Sequence, residues 1–518
     1  MTSSTTTWFR QGILLLFVAA APLLAQGSLA NLIQTGDRKT ALEKIRAGAD
    51  VNEAQPDGTR PIHWAIYRVD YELVDALIAK KAAVEMANEF GSTPLAEAAK
   101  LGDVKLVKAL LDAGAKPNAA NADDETAFML AVKTGELPVV QLMLAGGANV
   151  NAVEKFRKQT PLMYAVAAPK NAAEMTRLLL AKGANVKARA LYTDWDSQIS
   201  SEPRAQYRAT GGLTPLAYAA RSGCVGCVEA IIAAGADLNI PTPEGVTPLM
   251  IALDNEHNAA AKLLLDRGAN PHLWDWWGRT ALYIAVDRKA PSAGGRGGRG
   301  APVQAAGAGS LEIINALLAA GVDPSPELNM HRPSRGGNSG RFSDNQLNTG
   351  CTPLFRAVQL NDAEVIRALL AKGASPNVNA MGFTPFLLTA GVNPGGRGGA
   401  PGGASNLALL DLMFLNGADV NAQVTGTKTY TRRVSRSPST NEGVSALHAA
   451  VQGGRVDLVK YLLAKGASTE LLDGNGRKPI DLLDAAAPRA GGAAPQPAAA
   501  AEIRALLETA RGVNPSGR

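Results

Sequence analysis

Gly91-Ser92-Thr93-Pro94-Leu95-Ala96-Glu97-Ala98-Ala99, with Val104-Lys105-Leu106-Val107-Lys108-Ala109-Leu110-Leu111-Asp112-Ala113-Gly114-Ala115 shortly after it, is the unit that this chain copies. The Pro recurs at Pro61, Pro94, Pro161, Pro215, Pro248, Pro353, Pro385 and Pro479, and Ala127, Ala281 and Ala446 fill the same slot. The step is 33 residues from 61 to 94, 94 to 127, 215 to 248, 248 to 281 and 446 to 479. A fixed period of this size means a stacked array, whatever the total length suggests.

Each position in the unit has a physical reason. Thr93 is placed to cap a helix N-terminus with its hydroxyl, and Pro94 sits at the first helical position, where a missing N–H costs nothing. Four residues on comes a small side chain, Ala65, Ala98, Ala131, Ala165, Ala219, Ala252, Ala285, Ala357 or Ala450, which lets helices approach closely; Thr389 and Leu483 are the exceptions. Val104, Val107 and Leu110-Leu111 form the apolar stripe of a second helix. It stops at Gly114, as others stop at Gly48, Gly183, Gly235, Gly268, Gly373, Gly417 and Gly466. Lys81 holds that stop in the second copy, at a cost of about 1 kcal/mol if the left-handed geometry is kept.

The Thr-Pro-Leu signature at this period resembles the ankyrin repeat. The resemblance implies an all-α solenoid of about twelve helix-turn-helix repeats with one continuous core and β-turn fingers along one edge. Residues 1–25 read as a secretory signal, with Arg10 ahead of the apolar run Gly12–Ala21 and cleavage near Ala25. The apolar run is too short for a comfortable membrane span, so the expectation is an exported chain, periplasmic or extracellular. An N-terminal capping repeat at 26–57 precedes repeats two to five at 58–188, then a finger-edge insertion at 189–211. Repeats six to eight occupy 212–328 and include a Gly/Arg-rich insertion at 290–309. An insertion at 329–349 leads to repeats nine and ten at 350–424, which hold a Gly-rich insertion at 391–405. A basic insertion at 425–442, repeat eleven at 443–475 and a C-terminal cap at 476–512 complete the array. The Gly-rich runs cannot bury a core and are expected to be flexible.

A net charge of +6 over 518 residues is mild. Lys428, Arg432, Arg433 and Arg436 make the densest basic spot, and with the Gly-Arg runs they support an alternative reading as an anion- or nucleic-acid-binding protein. Those runs lack the interleaved Phe or Tyr that would add base stacking. Cys224-Val225-Gly226-Cys227 is the only close cysteine pair. Val228 follows it where haem attachment needs His, and zinc would need ligands that are not nearby. Buried structural thiols, a local disulfide and a thiol-redox protein remain open for this pair. The five histidines are scattered, and His63 and His448 occupy the family's Thr-Pro-Leu-His position, which implies inter-repeat hydrogen bonding. No catalytic triad, carboxylate pair, phosphate loop, metal site or cofactor site assembles from repeat geometry.

The strongest functional hint is Trp274-Asp275-Trp276-Trp277-Gly278, three of the chain's six Trp on one finger. Trp is the most enriched hot-spot residue at interfaces. The resemblance also implies binding along the inner face of the first helices, which matches Tyr67, Arg68, Lys100, Lys133, Arg221, Asp254, Asn255, Asp287, Arg288 and Gln359 here. Their mixed charge predicts a protein surface rather than DNA. The expectation is a monomeric, non-enzymatic scaffold for one or more protein partners, with no membrane span after cleavage.

Overall fold

The computed structural model describes residues 27–192, 211–289, 310–328, 350–380, 382–392, 406–425, 442–484 and 496–513. The leader at 1–25, Trp195, His331, the Gly-Arg runs and the basic residues Lys428, Arg432, Arg433 and Arg436 lie outside the described residues. The chain divides into two compact units, Met1–Leu191 with Ala233–Gly235, and Tyr192–Ile232 with Ala236–Arg518. The boundary at Leu191 falls where the first insertion begins, and each unit carries its own stack.

Among the described residues the fold is all-α, with solenoid-type stacks of helix pairs, five pairs from 27 to 191 and seven from 211 onward. The unit quoted above becomes helices Pro94–Leu101 and Val104–Asp112. Thr93 accepts a hydrogen bond from Ala96 N and Asp103 accepts from Lys105 N and Leu106 N, so both helices start on a side-chain cap. Within the first unit, each first helix packs on the next first helix, and the second helices pack in succession from Arg38–Arg46 to Leu137–Ala145. Every small residue in the Ala column is buried, from Ala65 and Ala98 through Ala219 and Ala252 to Ala450. A larger side chain there would push neighbouring helices apart. The stripes Leu73-Val74-Leu77, Leu106-Val107-Leu110 and Val139-Val140-Met143 are fully covered by adjacent repeats, burial that no single pair could reach alone.

Several turns between pairs are held by one side chain. Asn88 Oδ1 accepts from Phe90 N at 3.1 Å and Ser92 N at 2.9 Å. Asn121 Oδ1 does the same for Asp123 N and Glu125 N. Glu89 N donates to Asp57 O at 2.9 Å and Lys155 N to Asp123 O at 2.7 Å, so successive fingers are strung together through the backbone. Gly91 has φ 71°, and an added Cβ would meet Asn121 Cα of the next finger at 3.1 Å. Glycine is needed there for conformation and for space at once.

Lys81 keeps the left-handed stop, with φ 63°. The terminal cap departs from the pattern: its first member, Pro479–Leu483, is a 3₁₀ turn, and its second, Pro497–Val513, is the longest described helix. The finger turns contain isolated bridges such as Ala120 with Thr126 and Trp274 with Thr280, and no strand is formed among the described residues.

Candidate protein-binding face

The Trp-bearing finger is built around Asp275. Its Oδ1 accepts from Trp277 N at 3.0 Å and Arg279 N at 2.9 Å, repeating the turn of Asn88 with a carboxylate in place of an amide. Its Oδ2 accepts from Arg279 Nε at 2.6 Å. Trp276 N donates to Glu244 O at 2.8 Å, tying this finger to its predecessor. Gly245 on that predecessor has φ 82°, and a Cβ there would come within 3.1 Å of Asp275 Cα.

The three tryptophans do not share one fate. Trp274 is 66% exposed and Trp276 43%, whereas Trp277 is 6% exposed. Trp277, named with the other two as a candidate partner contact, is thus buried. Its ring packs under the Arg279 guanidinium, 5.3 Å from the centroid, and belongs to the interior of the finger.

Arg279 continues inward to Asp254, with NH1 3.1 Å from Oδ2, and Arg288 reaches the same carboxylate with Nε and NH2 at 3.1 and 2.8 Å. Arg356 Nε donates to Asp287 at 2.7 Å, and its NH1 to Gln359 Oε1 at 3.1 Å. Asp254, Asp287, Arg288 and Gln359, expected as partner contacts, are half-buried: Asp254 and Arg288 bond to each other, Asp287 to Arg356 of the next repeat, and Gln359 to Arg356 within its own helix. Their side chains are engaged within the array. The cause is reach: an Arg on the following repeat is long enough to meet an Asp on the preceding one. Burial works against charge on Arg279, but the carboxylates of Asp254 and Asp275 outweigh it and hold its pKa above the ordinary value. Burial pushes the Asp275 carboxyl up, and Arg279 pulls against that rise.

The remaining inner-face residues are open. Tyr67 is 64% exposed and stands edge-on to Trp64, with ring centroids 5.8 Å apart. Arg68 donates to Gln34 O. Lys100 pairs with Glu97 at 3.1 Å, and Lys133 pairs with Glu125 while lying 4.3 Å from the Tyr164 ring centroid. The Arg221 guanidinium covers the Tyr218 ring at 4.7 Å, and the exposed Asn255 donates to Ile251 O at 2.8 Å.

The two family-position histidines act as expected from the resemblance. His63 Nδ1 accepts from Arg60 N at 3.2 Å, and its Nε2–H donates to Ser92 O of the next repeat at 3.1 Å. His448 repeats this with Ser445 N and Arg477 O. Burial lowers both pKa values, and the accepting Nδ1 requires the neutral ring. A second ladder went unread in the sequence. Asn151 donates to Gly183 O at 3.0 Å and accepts from Asn185 N at 2.8 Å, tying the end of one repeat to the next. Asn118, Asn377 and Asn421 make the same two bonds. Its signal, an Asn four residues past the Gly of the Gly-Ala stop, is periodic and could have been found.

Cys224 and Cys227 are joined by a disulfide. Cys351 is fully buried. Among the described residues no group of His, Cys, Asp or Glu could hold a metal ion, and no helix is long and apolar enough to cross a membrane.

Stacked helix pairs, side-chain-capped fingers and a His ladder define a repeat protein of the helix-turn-helix class. The family patterns described as "Ankyrin repeats (3 copies)" match residues 29–121, 118–190, 197–275 and 216–293, and the pattern "Ankyrin repeat" matches 349–380 and 442–474. These matches cover more than half of the chain, which belongs to the ankyrin repeat family. The chain is 30% identical over 265 residues to the mouse B-cell lymphoma 3 protein homolog, covering 48% of this chain and 45% of that protein. It is 31% identical over 176 residues to the human mitochondrial disaggregase, covering 33% of this chain and 24% of that protein. The chain thus spans less than half the length of these relatives. The solved structure of the human ASB11 ankyrin repeat domain aligns with 48% of this chain and all of that domain, at 24% identity and a TM-score of 0.38.

Proposed function

We propose that this protein is a non-enzymatic scaffold that holds one or more protein partners along its first-helix face and finger tips. Ankyrin repeats generally mediate protein–protein interaction. The observation that carries the reading for this chain is the exposure of Trp274 and Trp276 on a finger stiffened beneath them by Trp277, Asp275 and Arg279. Large rings presented by a rigid support lose little conformational freedom on binding. Tyr67, Lys100 and Lys133 supply a second contact area on the first unit.

The reading includes export to a periplasmic or extracellular location, supported by Arg10 and the apolar run Gly12–Ala21. N-terminal sequencing of the chain recovered from its own cell would place the cut near Ala25; an intact Met1 in the exported fraction would remove this part. For binding, the test is Trp274→Ala with Trp276→Ala, leaving Trp277 in place. Partner affinity should weaken by about 2 kcal/mol or more with helicity unchanged, and unaltered affinity in the folded variant would remove the finger from the reading.

A further inference from the structure

Cys224 stands where other repeats place a capping carboxylate. Asp37, Asp70, Asp103 and Asp362 each hold the N-terminus of a second helix through a side-chain oxygen. For helix Val225–Ala233 the acceptor is Cys224 Sγ, 3.2 Å from Cys227 N. The same sulfur is bonded to Cys227 Sγ. The two halves of the bridge are unequal. Cys227 is fully buried, while Cys224 is half-buried beside exposed Arg221, Ser222 and Val225. On the other side the His257 ring lies flat on Gly223, so a Cβ there would meet it at 2.6 Å.

A bridge that closes so short a loop restrains the unfolded chain least, because that effect grows with loop length. The same placement suits exchange. The outer sulfur is reachable, and as a thiolate it would sit against the N-terminal amides of a nine-residue helix, which favour the anion. The reduced state would then carry a negative cap where Asp103 carries one in its own repeat. Both redox states leave the helix capped, so the fold need not open for the bridge to open.

We propose that Cys224–Cys227 is a thiol–disulfide exchange site for a small thiol. The incoming thiolate attacks Cys224 Sγ and forms a mixed disulfide. The Cys224–Cys227 bond breaks, its electron pair leaves on Cys227 Sγ, and that sulfur takes a proton from water. A second thiolate attacks the incoming sulfur, releasing a small disulfide and the Cys224 thiolate. Two electrons pass from two small thiols to the bridge, and the reverse sequence reoxidises it.

The test uses the full chain and glutathione. Native protein treated with excess reduced glutathione should keep its helicity and, after an acid quench, alkylation in denaturant and peptide mapping, should carry label at Cys224 and Cys227, which the untreated protein lacks. In Cys227→Ser, oxidised glutathione should form one adduct, at Cys224, about threefold or more faster in the folded than in the denaturant-unfolded chain. A bridge that opens only in denaturant, or a folded Cys227→Ser that reacts no faster than unfolded, would overturn the proposal and leave a structural staple. The wild-type arm decides the question even if the variant fails to fold.

Discussion

The inner column six residues past the Pro slot reads differently in the two units. From 27 to 191 it presents Tyr67, Lys100 and Lys133, exposed, with the lysines ion-paired inside their own repeats, to Glu97 and Glu125, and Lys133 also over the Tyr164 ring of the next repeat. From 211 onward it presents Arg221, Asp254, Asp287 and Gln359, and its two carboxylates are gripped by Arg279, Arg288 and Arg356. The same address in the repeat is an adaptable surface in one unit and a wired one in the other. What separates them is whether an Arg stands on the following repeat, within reach of an Asp.

The largest consequence concerns the wired column. Arg279 and Asp275 have side chains 3% and 0% exposed. Arg279→Met should therefore destabilise the second unit by about 3–5 kcal/mol, because it leaves Asp275 buried without its cation. Adding Asp275→Asn should recover much of that loss. Asn is the residue that Asn88 and Asn121 use in the same turn, and its oxygen can still accept the two backbone amides. Denaturant unfolding of both variants checks this, and equal stability of the single and double variants would contradict the wiring.

A smaller effect follows from the histidines, which stand in both units. Burial depresses the pKa of His63 and of His448, so the unfolded chain takes up protons first as pH falls. The ladder's contribution is complete above the unfolded value of about 6.5. It is lost as pH drops through the lower folded values. The denaturation midpoint should fall between about pH 7.5 and pH 5, and fall less in the His63→Gln, His448→Gln variant. An equal fall in both proteins would take the histidines out of the pH dependence.

The smallest effect belongs to the open column. Lys100→Met removes a surface pair and should change stability by no more than about 0.5 kcal/mol. A loss near that of Arg279→Met would erase the distinction between the columns.

Much of this was legible in the sequence, because the repeat needs the same residue at the same place each time. Thr93 before Pro94, Ala98 against the next helix, Gly114 at the stop and even the misfit Lys81 each follow from one local constraint. The His ladder was legible through the family resemblance, and the Asn118–Asn151 ladder through the period alone. The fate of the tryptophans was not legible. Trp276 and Trp277 are adjacent, and what buries one is a guanidinium that bonds at once to Asp275 and to Asp254, 25 residues back. Nor was the ion network, whose members are separately plausible as solvent-facing charges. Periodicity reports which slot a residue occupies, and only the neighbouring repeat decides whether that slot is free.

The central claim is that the finger and first-helix face hold a protein partner. Its most direct measurement is site-specific photo-cross-linking in the native cell, with the reactive group at position 276 in one chain and at Lys108, exposed on a second helix, in another. The account predicts a discrete protein adduct from position 276 that Trp274→Ala diminishes, and none from position 108. Equal adducts at both positions, or none at 276, would contradict it.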